Sequence, residues 1–274
     1  MDLQSELRAE ALRALLLTGP DAKVEAARGL VEAGSIDVAR SITAPAELPG
    51  RPARPRLVPA STLARRGVET VAGRAALLHA LAHIEFNAIN LALDAVWRFA
   101  GLPHEYYRDW ARVAQEEALH FALLCGRLAA LQHAYGDFDA HDSLWEMAHR
   151  TRHDPLVRMA LVPRVLEARG LDASPPIRAK FLRAGDHESA AVIDVILRDE
   201  IGHVAIGNRW FRFLCERRGV SPAAAEADIR REHRAPAPRP PFNFEARRAA
   251  GFSADELAAL DAGRVAGQIG ARNR

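Results

Sequence analysis

The fold of this chain is decided by the stretch Gln115-Glu116-Glu117-Ala118-Leu119-His120-Phe121 and by its counterpart Glu200-Ile201-Gly202-His203-Val204. Each stretch contains a Glu-x-x-His step, which places a glutamate and a histidine on the same face of a helix. Each step also follows a partner glutamate at nearly the same distance. Glu85 lies 32 residues before Glu117, and Glu167 lies 33 residues before Glu200.

Four glutamates and two histidines in this order are typical of a site for two iron or two manganese ions inside a four-helix bundle. The predicted metal ligands are Glu85, Glu117, His120, Glu167, Glu200 and His203. A Glu-x-x-His step is weak evidence by itself, because a third one, Glu146 to His149, has no partner glutamate in register. We interpret Glu146 and His149 as polar groups of a connection.

Glycine and proline divide the chain into predicted helices, and no stretch has the alternating pattern of a strand. The ligands fall on helices predicted over residues 68–100, 104–134, 155–170 and 187–218. Shorter helices are predicted over 2–18 and 21–33, from Pro175-Pro176 to Gly185, and from Pro222 and Ser253 onwards. The predicted regions are 1–60 (N-terminal helices and a Pro/Arg-rich linker), 61–220 (the bundle) and 221–274 (C-terminal helices and a Pro-rich strap packed on the bundle).

The spacing also predicts that the first two helices bring their ligands together. Glu85 is about 15 residues before the end of its helix and Glu117 about 13 residues after the start of the next, so both lie roughly 20 Å from the connecting turn. Apolar residues flank the ligands at helical spacing, and an unpaired buried carboxylate costs several kcal/mol. A divalent metal pair would remove that cost. The third helix is less regular, because Pro163 should bend it just before Glu167.

His79 and His83 form a second candidate site, since two histidines four residues apart on a helix can chelate zinc. They lie on the face opposite Glu85 and have no third ligand. We therefore predict a solvated or an inter-helix role for both side chains.

Composition narrows the class of protein. The chain has 274 residues, of which 49% are hydrophobic, and a formal net charge of only +2, which gives no argument for nucleic-acid binding. It has no apolar run long enough for a membrane span and no signal-peptide pattern at its start. Cys125 and Cys215 are predicted to be buried thiols of a cytoplasmic protein.

Four segments resemble an uncharacterised bacterial family with a ferritin-like domain. They are His83-Ile84-Glu85, the two stretches quoted first, and Arg158-Met159-Ala160-Leu161-Val162-Pro163-Arg164-Val165-Leu166-Glu167-Ala168-Arg169-Gly170-Leu171-Asp172. The resemblance implies an all-α, ferritin-like four-helix bundle with extra N- and C-terminal helices and a carboxylate-bridged di-iron site. It implies no known reaction. A more distant similarity is to the bacterial di-iron hydroxylases that act on modified tRNA bases.

The function predicted from these residues is an O₂-dependent oxidoreductase of the hydroxylase type. Glu117 and Glu200 would bridge two iron ions (Fe²⁺/Fe³⁺), Glu85 and Glu167 would be terminal ligands, and manganese is an alternative metal. An external electron donor is required. The substrate is unknown, with a tRNA or a small hydrophobic metabolite as candidates because the predicted lining is apolar (Ile89, Val113, Phe121, Ile196, Leu197). The alternatives are iron handling, scavenging of peroxide or O₂, and a helical protein with a non-catalytic metal. The oligomeric state is predicted only as monomer or dimer.

Overall fold

The computed structural model describes residues 6–30, 34–45, 47–64 and 67–262 of the chain. These residues form α-helices joined by turns and extended segments, and among them the only sheet-like pairing is at two isolated bridges, Glu6–Ser35 and Leu57–Ala140. The prediction of an all-α helical bundle is therefore confirmed. Residues 2–5 of the helix predicted over 2–18 and residues 31–33 of the helix predicted over 21–33 lie outside the described residues.

The helices are, in chain order, α1 (Leu7–Leu16), α2 (Pro20–Gly29), α3 (Val71–Arg98), α4 (His104–Ala130), α5 (Ser143–Arg150), α6 (Pro155–Leu161), α7 (Ala168–Arg183), α8 (His187–Arg218), α9 (Pro222–Glu232) and α10 (Phe244–Ala249). A 3-10 turn spans Ala60–Thr62, and a π-helical segment, Val162–Glu167, joins α6 to α7. A further helical stretch covers residues 254–262. The chain divides into two compact units, the first formed by residues 1–152 and 180–192 and the second by residues 153–179 and 193–274.

The first unit is built on the hairpin of α3 and α4. The side chain of Thr70 caps the start of α3 by accepting the backbone N–H of Gly73 at 3.0 Å. Gly101 has φ +74°, a value that favours glycine, and it turns the chain towards α4. The hydroxyl of Tyr107 donates to the carbonyl of Phe99 at 2.8 Å and closes the turn. Helix α1 packs against α3, and α2 packs against α4.

The polar face of α3, opposite Glu85, is buried as completely as the apolar one. His79, Asn90 and Asp94 are all 0% exposed. Lys23 of α2 donates to Asn90 Oδ1 at 2.6 Å, and the backbone N–H of Gly136 donates to His79 Nε2 at 2.9 Å. The N-terminal helices and the loop after α4 thus supply partners for some of the polar atoms of this face.

The second unit begins with a helix start that the sequence predicted correctly. Asp154 caps α6 by accepting the N–H of Leu156 at 2.7 Å, and Pro155 occupies the first helical position. Arg218, at the end of α8, forms an ion pair with the same carboxylate at 2.7 Å. The two contacts tie the start of α6 to the end of α8.

The helix that carries Glu167 does not end at Gly170, and no new helix begins at Pro175, so both predictions are wrong. The chain passes through the π-helical segment into α7, which contains Pro175 and Pro176 in its interior. A proline has no N–H, so Pro175 leaves the carbonyl of Leu171 without its helical donor. Asn243 Nδ2 donates to that carbonyl at 3.3 Å, which compensates the lost bond with a residue far away in the sequence.

Two helices were missed in the sequence. Helix α5 lies in what was predicted to be a plain connection, and α10 follows the Pro-rich segment 235–241, which has no regular structure. Helix α10 contributes Ala246 to a core cluster of the second unit, and the other buried members are Ala168, Leu171, Val204, Ala250, Phe252 and Leu257. Helix α8 has the predicted bounds, and Gly219 follows it with φ +66°.

One helix among the described residues, α3, is long and apolar enough to cross a membrane. Of its most apolar window, 72% is buried inside the protein, as expected for the core helix of a soluble protein. Both cysteines are free thiols, with Cys215 buried and Cys125 half-buried.

Candidate metal centre

Three of the predicted ligands meet inside the first unit. The ligand atoms of Glu85 on α3 and of Glu117 and His120 on α4 all lie within 4.8 Å of one another. His120 Nδ1 is 3.3 Å from Glu85 Oε2 and 3.3 Å from Glu117 Oε2. Glu117 and His120 are completely buried and Glu85 is 5% exposed. The predicted register of the hairpin is thus the observed one, and we refer to these three residues as the first half-site.

Burial and mutual contact shift the pKa values of Glu85 and His120 in the first half-site. Burial raises the pKa of Glu85 to about 8, and the nearby carboxylate of Glu117 raises it as well. Burial lowers the pKa of His120, but its contacts with Glu117 and Glu85 outweigh that effect and bring the value to about 11. Protons therefore hold this cluster together unless a cation takes their place.

The residues present fit a divalent metal ion. Oε2 of Glu85 is buried and accepts no hydrogen bond from any described residue, although the imidazole of His120 is beside it. A buried carboxylate oxygen without a donor is costly, and coordination to a cation supplies what it lacks. Carboxylate oxygen with imidazole nitrogen is a ligand combination that suits iron and manganese.

The second unit contains a matching pair. His203 Nδ1 lies 3.3 Å from Glu200 Oε1 on α8, the same separation and the same ring nitrogen as in the first half-site. His203 is completely buried and Glu200 is 7% exposed. Glu167, 9% exposed, is the last residue of the π-helical segment. Segments of this kind are rare and occur frequently at functional sites. We refer to Glu200 and His203, together with the predicted ligand Glu167, as the second half-site; Glu167 belongs to it by prediction.

The third Glu-x-x-His step has none of these properties. Glu146 and His149 lie on α5, and both side chains are exposed. They are polar surface groups, as predicted, although the segment is helical.

His79 and His83 face the loop after α4. His83 Nδ1 is 2.9 Å from the hydroxyl of Tyr135, and His83 Nε2 is 3.2 Å from the carbonyl of His141. Burial lowers the pKa of both histidines to about 4, so they are neutral at physiological pH. Both ring nitrogens of His83 and Nε2 of His79 contact protein groups, and both side chains are buried rather than solvated.

An aromatic cluster beside the first half-site was missed in the sequence. Phe86 follows the ligand Glu85, and Phe121 follows the ligand His120. Their rings lie 5.3 Å apart, and both contact Tyr135, at 5.5 and 5.0 Å between ring centroids. Only the register of α3 against α4 and the fold of the following loop bring these three residues together.

The comparisons with known proteins agree with an uncharacterised bacterial family. A family model described as "Protein of unknown function (DUF455)" matches residues 17–258. An "Uncharacterized protein" of Haemophilus influenzae is 47% identical over 213 residues, which cover 75% of this chain and 74% of that relative. No solved structure is significantly similar to the chain. The more distant similarity to tRNA hydroxylases stays a prediction.

Proposed function

Because the chain belongs to the DUF455 family, whose description names no reaction, we propose a function from the ligand set itself: a ferritin-like di-iron carboxylate protein that acts as an O₂-dependent oxidoreductase. Glu85, Glu117 and His120 of the first half-site and Glu167, Glu200 and His203 of the second bind two metal ions together. Glu117 and Glu200 would be shared between the two ions, and each histidine would hold one of them.

The observation that carries this proposal is the pairing of the two half-sites. Each has a buried histidine whose Nδ1 lies 3.3 Å from the carboxylate three residues before it. A structural ion pair needs neither this burial nor this repetition. Two metal ions need a nitrogen and a carboxylate each, which is what the repetition supplies.

Iron is the proposed metal because the ligands are oxygen and nitrogen atoms with no thiolate. When bound, an iron pair supplies the electrons and open positions at which O₂ reacts. The protein's own part is to hold the carboxylates at fixed distances and to exclude water. Ile89, Val113, Phe121 and Ile196 are all buried and bring apolar side chains to the ligand-bearing helices.

This apolar lining favours a substrate with a hydrophobic portion, either a small metabolite or a modified base of a tRNA. No redox domain is recognisable in the sequence, so an external protein or small reductant delivers the electrons. We propose a cytoplasmic location, where both the reduced thiols and such donors are found.

The test is the reaction of the ferrous protein with oxygen. The protein is loaded with Fe²⁺ under argon and mixed with O₂ while oxygen consumption is followed. We expect rapid consumption in proportion to bound iron, with His120→Ala strongly impaired because one ligand nitrogen is lost. The matched control is His149→Ala, which removes the histidine of the exposed Glu-x-x-His step and should react like the unmodified protein.

The outcomes separate the proposal from its alternatives. Repeated oxygen consumption with an added reductant supports an oxidoreductase. A single turnover that leaves ferric iron in the protein indicates iron handling, and faster reaction with peroxide than with O₂ indicates scavenging. Bound iron that does not react over hours means a structural metal and contradicts the proposed activity.

A further inference from the structure

A cavity of about 650 Å³ lies in the first unit beneath residues 51–57. This volume is in the range of small-molecule binding sites. Its lining includes Phe86, Tyr135 and His83 and the three arginines Arg51, Arg54 and Arg56. The proposed metal chemistry makes no use of this cavity, since no proposed metal ligand lines it.

The segment that covers the cavity is fixed at both ends. Lys23 Nζ donates to the carbonyl of Gly50 at 2.8 Å at the start of residues 51–57. At the other end, the backbone N–H of Ala140 donates to the carbonyl of Arg56 at 3.0 Å. The cavity is therefore preformed, and a ligand entering it would not have to order the segment first.

The three arginines differ in how their charge is compensated. Arg51 binds Asp142, with its Nη2 2.7 Å from a carboxylate oxygen, and Arg56 binds Asp139 at 2.5 Å. Arg54 is exposed at the edge of the cavity and makes no hydrogen bond or ion pair with any described residue. The cavity thus has two guanidiniums held in place by carboxylates, those of Arg51 and Arg56, and one, that of Arg54, without a carboxylate partner among the described residues.

The acidic side chains on the same cavity have partners other than Arg54. Asp139 is the partner of Arg56, as given above. Asp137 accepts the backbone N–H of Ala134 at 2.8 Å and lies 3.4 Å from the imidazole of His133. Neither carboxylate pairs with Arg54, so the guanidinium of Arg54 is left available to an anionic ligand.

We propose that this cavity binds a small organic anion, with its carboxylate or phosphate on Arg54 and Arg51 and a flat apolar group against Phe86 and Tyr135. A guanidinium matches the geometry of either oxyanion through parallel N–H donors. An aromatic ring stacks favourably on the faces of Phe and Tyr. Phe86 also contacts Phe121, so the apolar end of the ligand lies one aromatic layer away from the first half-site.

The first experiment measures binding of defined probes to the full-length protein by calorimetry. The probes are phenyl phosphate, benzoate, inorganic phosphate and the neutral analogue benzyl alcohol. We expect an aromatic anion to bind about tenfold more tightly than either inorganic phosphate or benzyl alcohol, because it makes both kinds of contact. The tighter of phenyl phosphate and benzoate identifies the head group. If neither aromatic anion binds more tightly than benzyl alcohol, the proposal is wrong.

The second experiment uses variants that keep the fold. Arg54→Gln removes an exposed side chain and should weaken binding of the aromatic anion about tenfold without affecting benzyl alcohol. Arg28→Gln is the matched control, because Arg28 is exposed on α2, outside the cavity, and its loss changes the net charge equally. Equal weakening by both variants would show a general charge effect and overturn the proposal. Because metal is not needed for these measurements, their result is independent of the proposed oxidoreductase activity.

Discussion

Glu85 and His120 hold protons that a bound metal ion would displace, so the proposed metal binding is expected to depend on pH. Burial and the carboxylate of Glu117 raise the pKa of Glu85 to about 8, and the two carboxylates raise that of His120 to about 11 against the effect of burial. Metal ligands bind in their deprotonated forms, so metal binding releases these protons.

The two raised pKa values determine how the stability of the metal-free protein changes with pH. Both pKa values in the folded protein lie above their ordinary values, so protonation stabilises the metal-free fold. That contribution is complete at acidic pH and is lost as pH rises through about 8 for Glu85 and about 11 for His120. Metal binding becomes stronger over the same range. We therefore expect the gain in Tm on adding Mn²⁺ to increase between about pH 6 and about pH 8.

Thermal unfolding with and without Mn²⁺ at several pH values checks this prediction. In Glu85→Gln one of the titrating groups is gone, so the increase of the gain with pH should be smaller. A gain in Tm that stays constant or shrinks towards pH 8 would mean that these residues do not hold the metal.

At the scale of residues, the sequence was sufficient to single out a buried cluster of glutamates and a histidine but not the groups around it. Glu85, Glu117 and His120 stand out because they interrupt apolar helical faces. The burial of His79 and Asn90 could not be predicted, because it depends on Gly136 and Lys23, which lie far away in the sequence. A polar face of a helix is exposed to solvent only when no segment from elsewhere in the sequence covers it.

At the scale of elements, α8 passes so close to the segment that ends at Glu167 that Gly207 has no room for a side chain. A methyl group added at Gly207 on α8 would lie 2.3 Å from Cβ of Pro163 in the π-helical segment. We predict that Gly207→Ala pushes this segment away from α8, costs about 1–3 kcal/mol of stability, and reduces metal content. Glu167 moves because it ends the same segment.

The control for this variant is Gly202→Ala on the same helix, where an added methyl group meets no atom within 4 Å. It should leave metal content unchanged and raise stability by about 0.5–1 kcal/mol, as alanine does in place of glycine inside a helix. Thermal unfolding measures the stability of both variants, and elemental analysis measures their metal content. Equal metal content in the two variants would argue against a positioning role for the contact between Gly207 and Pro163.

The start of α6 provides an independent test of stability. The carboxylate of Asp154 caps the helix and binds Arg218, so Asp154→Ala removes both contacts. We expect a loss of about 1–2 kcal/mol, the usual cost of losing a cap, since the ion pair is partly exposed and adds little. Asp154→Asn keeps a capping oxygen and should recover most of the loss. Unfolding in urea gives the free energy of unfolding of the unmodified protein and of both variants. If Asp154→Ala has the same free energy of unfolding as the unmodified protein, the capping assignment is wrong.

Helix ends were predictable where they depend on local sequence. Asp154 with Pro155 starts α6, and Gly219 follows α8, because capping and left-handed backbone are local requirements. The continuation of α7 through Pro175 was not predictable, because Asn243 supplies the missing donor from outside the helix. The same limit applies to α10, which is too short to have a clear apolar period.

At the scale of the whole molecule, family membership places the chain among its relatives, whereas only the predicted metal ligands suggest a reaction. The match over residues 17–258 identifies a family without assigning a reaction to it. The proposed function depends instead on two buried half-sites that repeat the same Glu-x-x-His geometry in two compact units. The cavity beneath residues 51–57 was beyond sequence analysis, because it is lined by three separate parts of the chain, residues 51–57, α3 and the loop after α4.

The central claim is that Glu117 and Glu200 bridge two metal ions, and the metal content of purified variants tests it most directly. Glu117→Gln and Glu200→Gln keep the shape of each side chain but remove its charge. Glu146→Gln makes the same change in the exposed step on α5 and serves as the control. Circular dichroism establishes that all three proteins are folded before elemental analysis.

We predict about two iron or manganese ions per chain in the unmodified protein and in Glu146→Gln, as expected for a di-metal carboxylate site. Both bridging variants should lose most of their metal. Metal content in Glu117→Gln and Glu200→Gln equal to that of Glu146→Gln, or an unmodified protein that binds neither metal, would contradict the account.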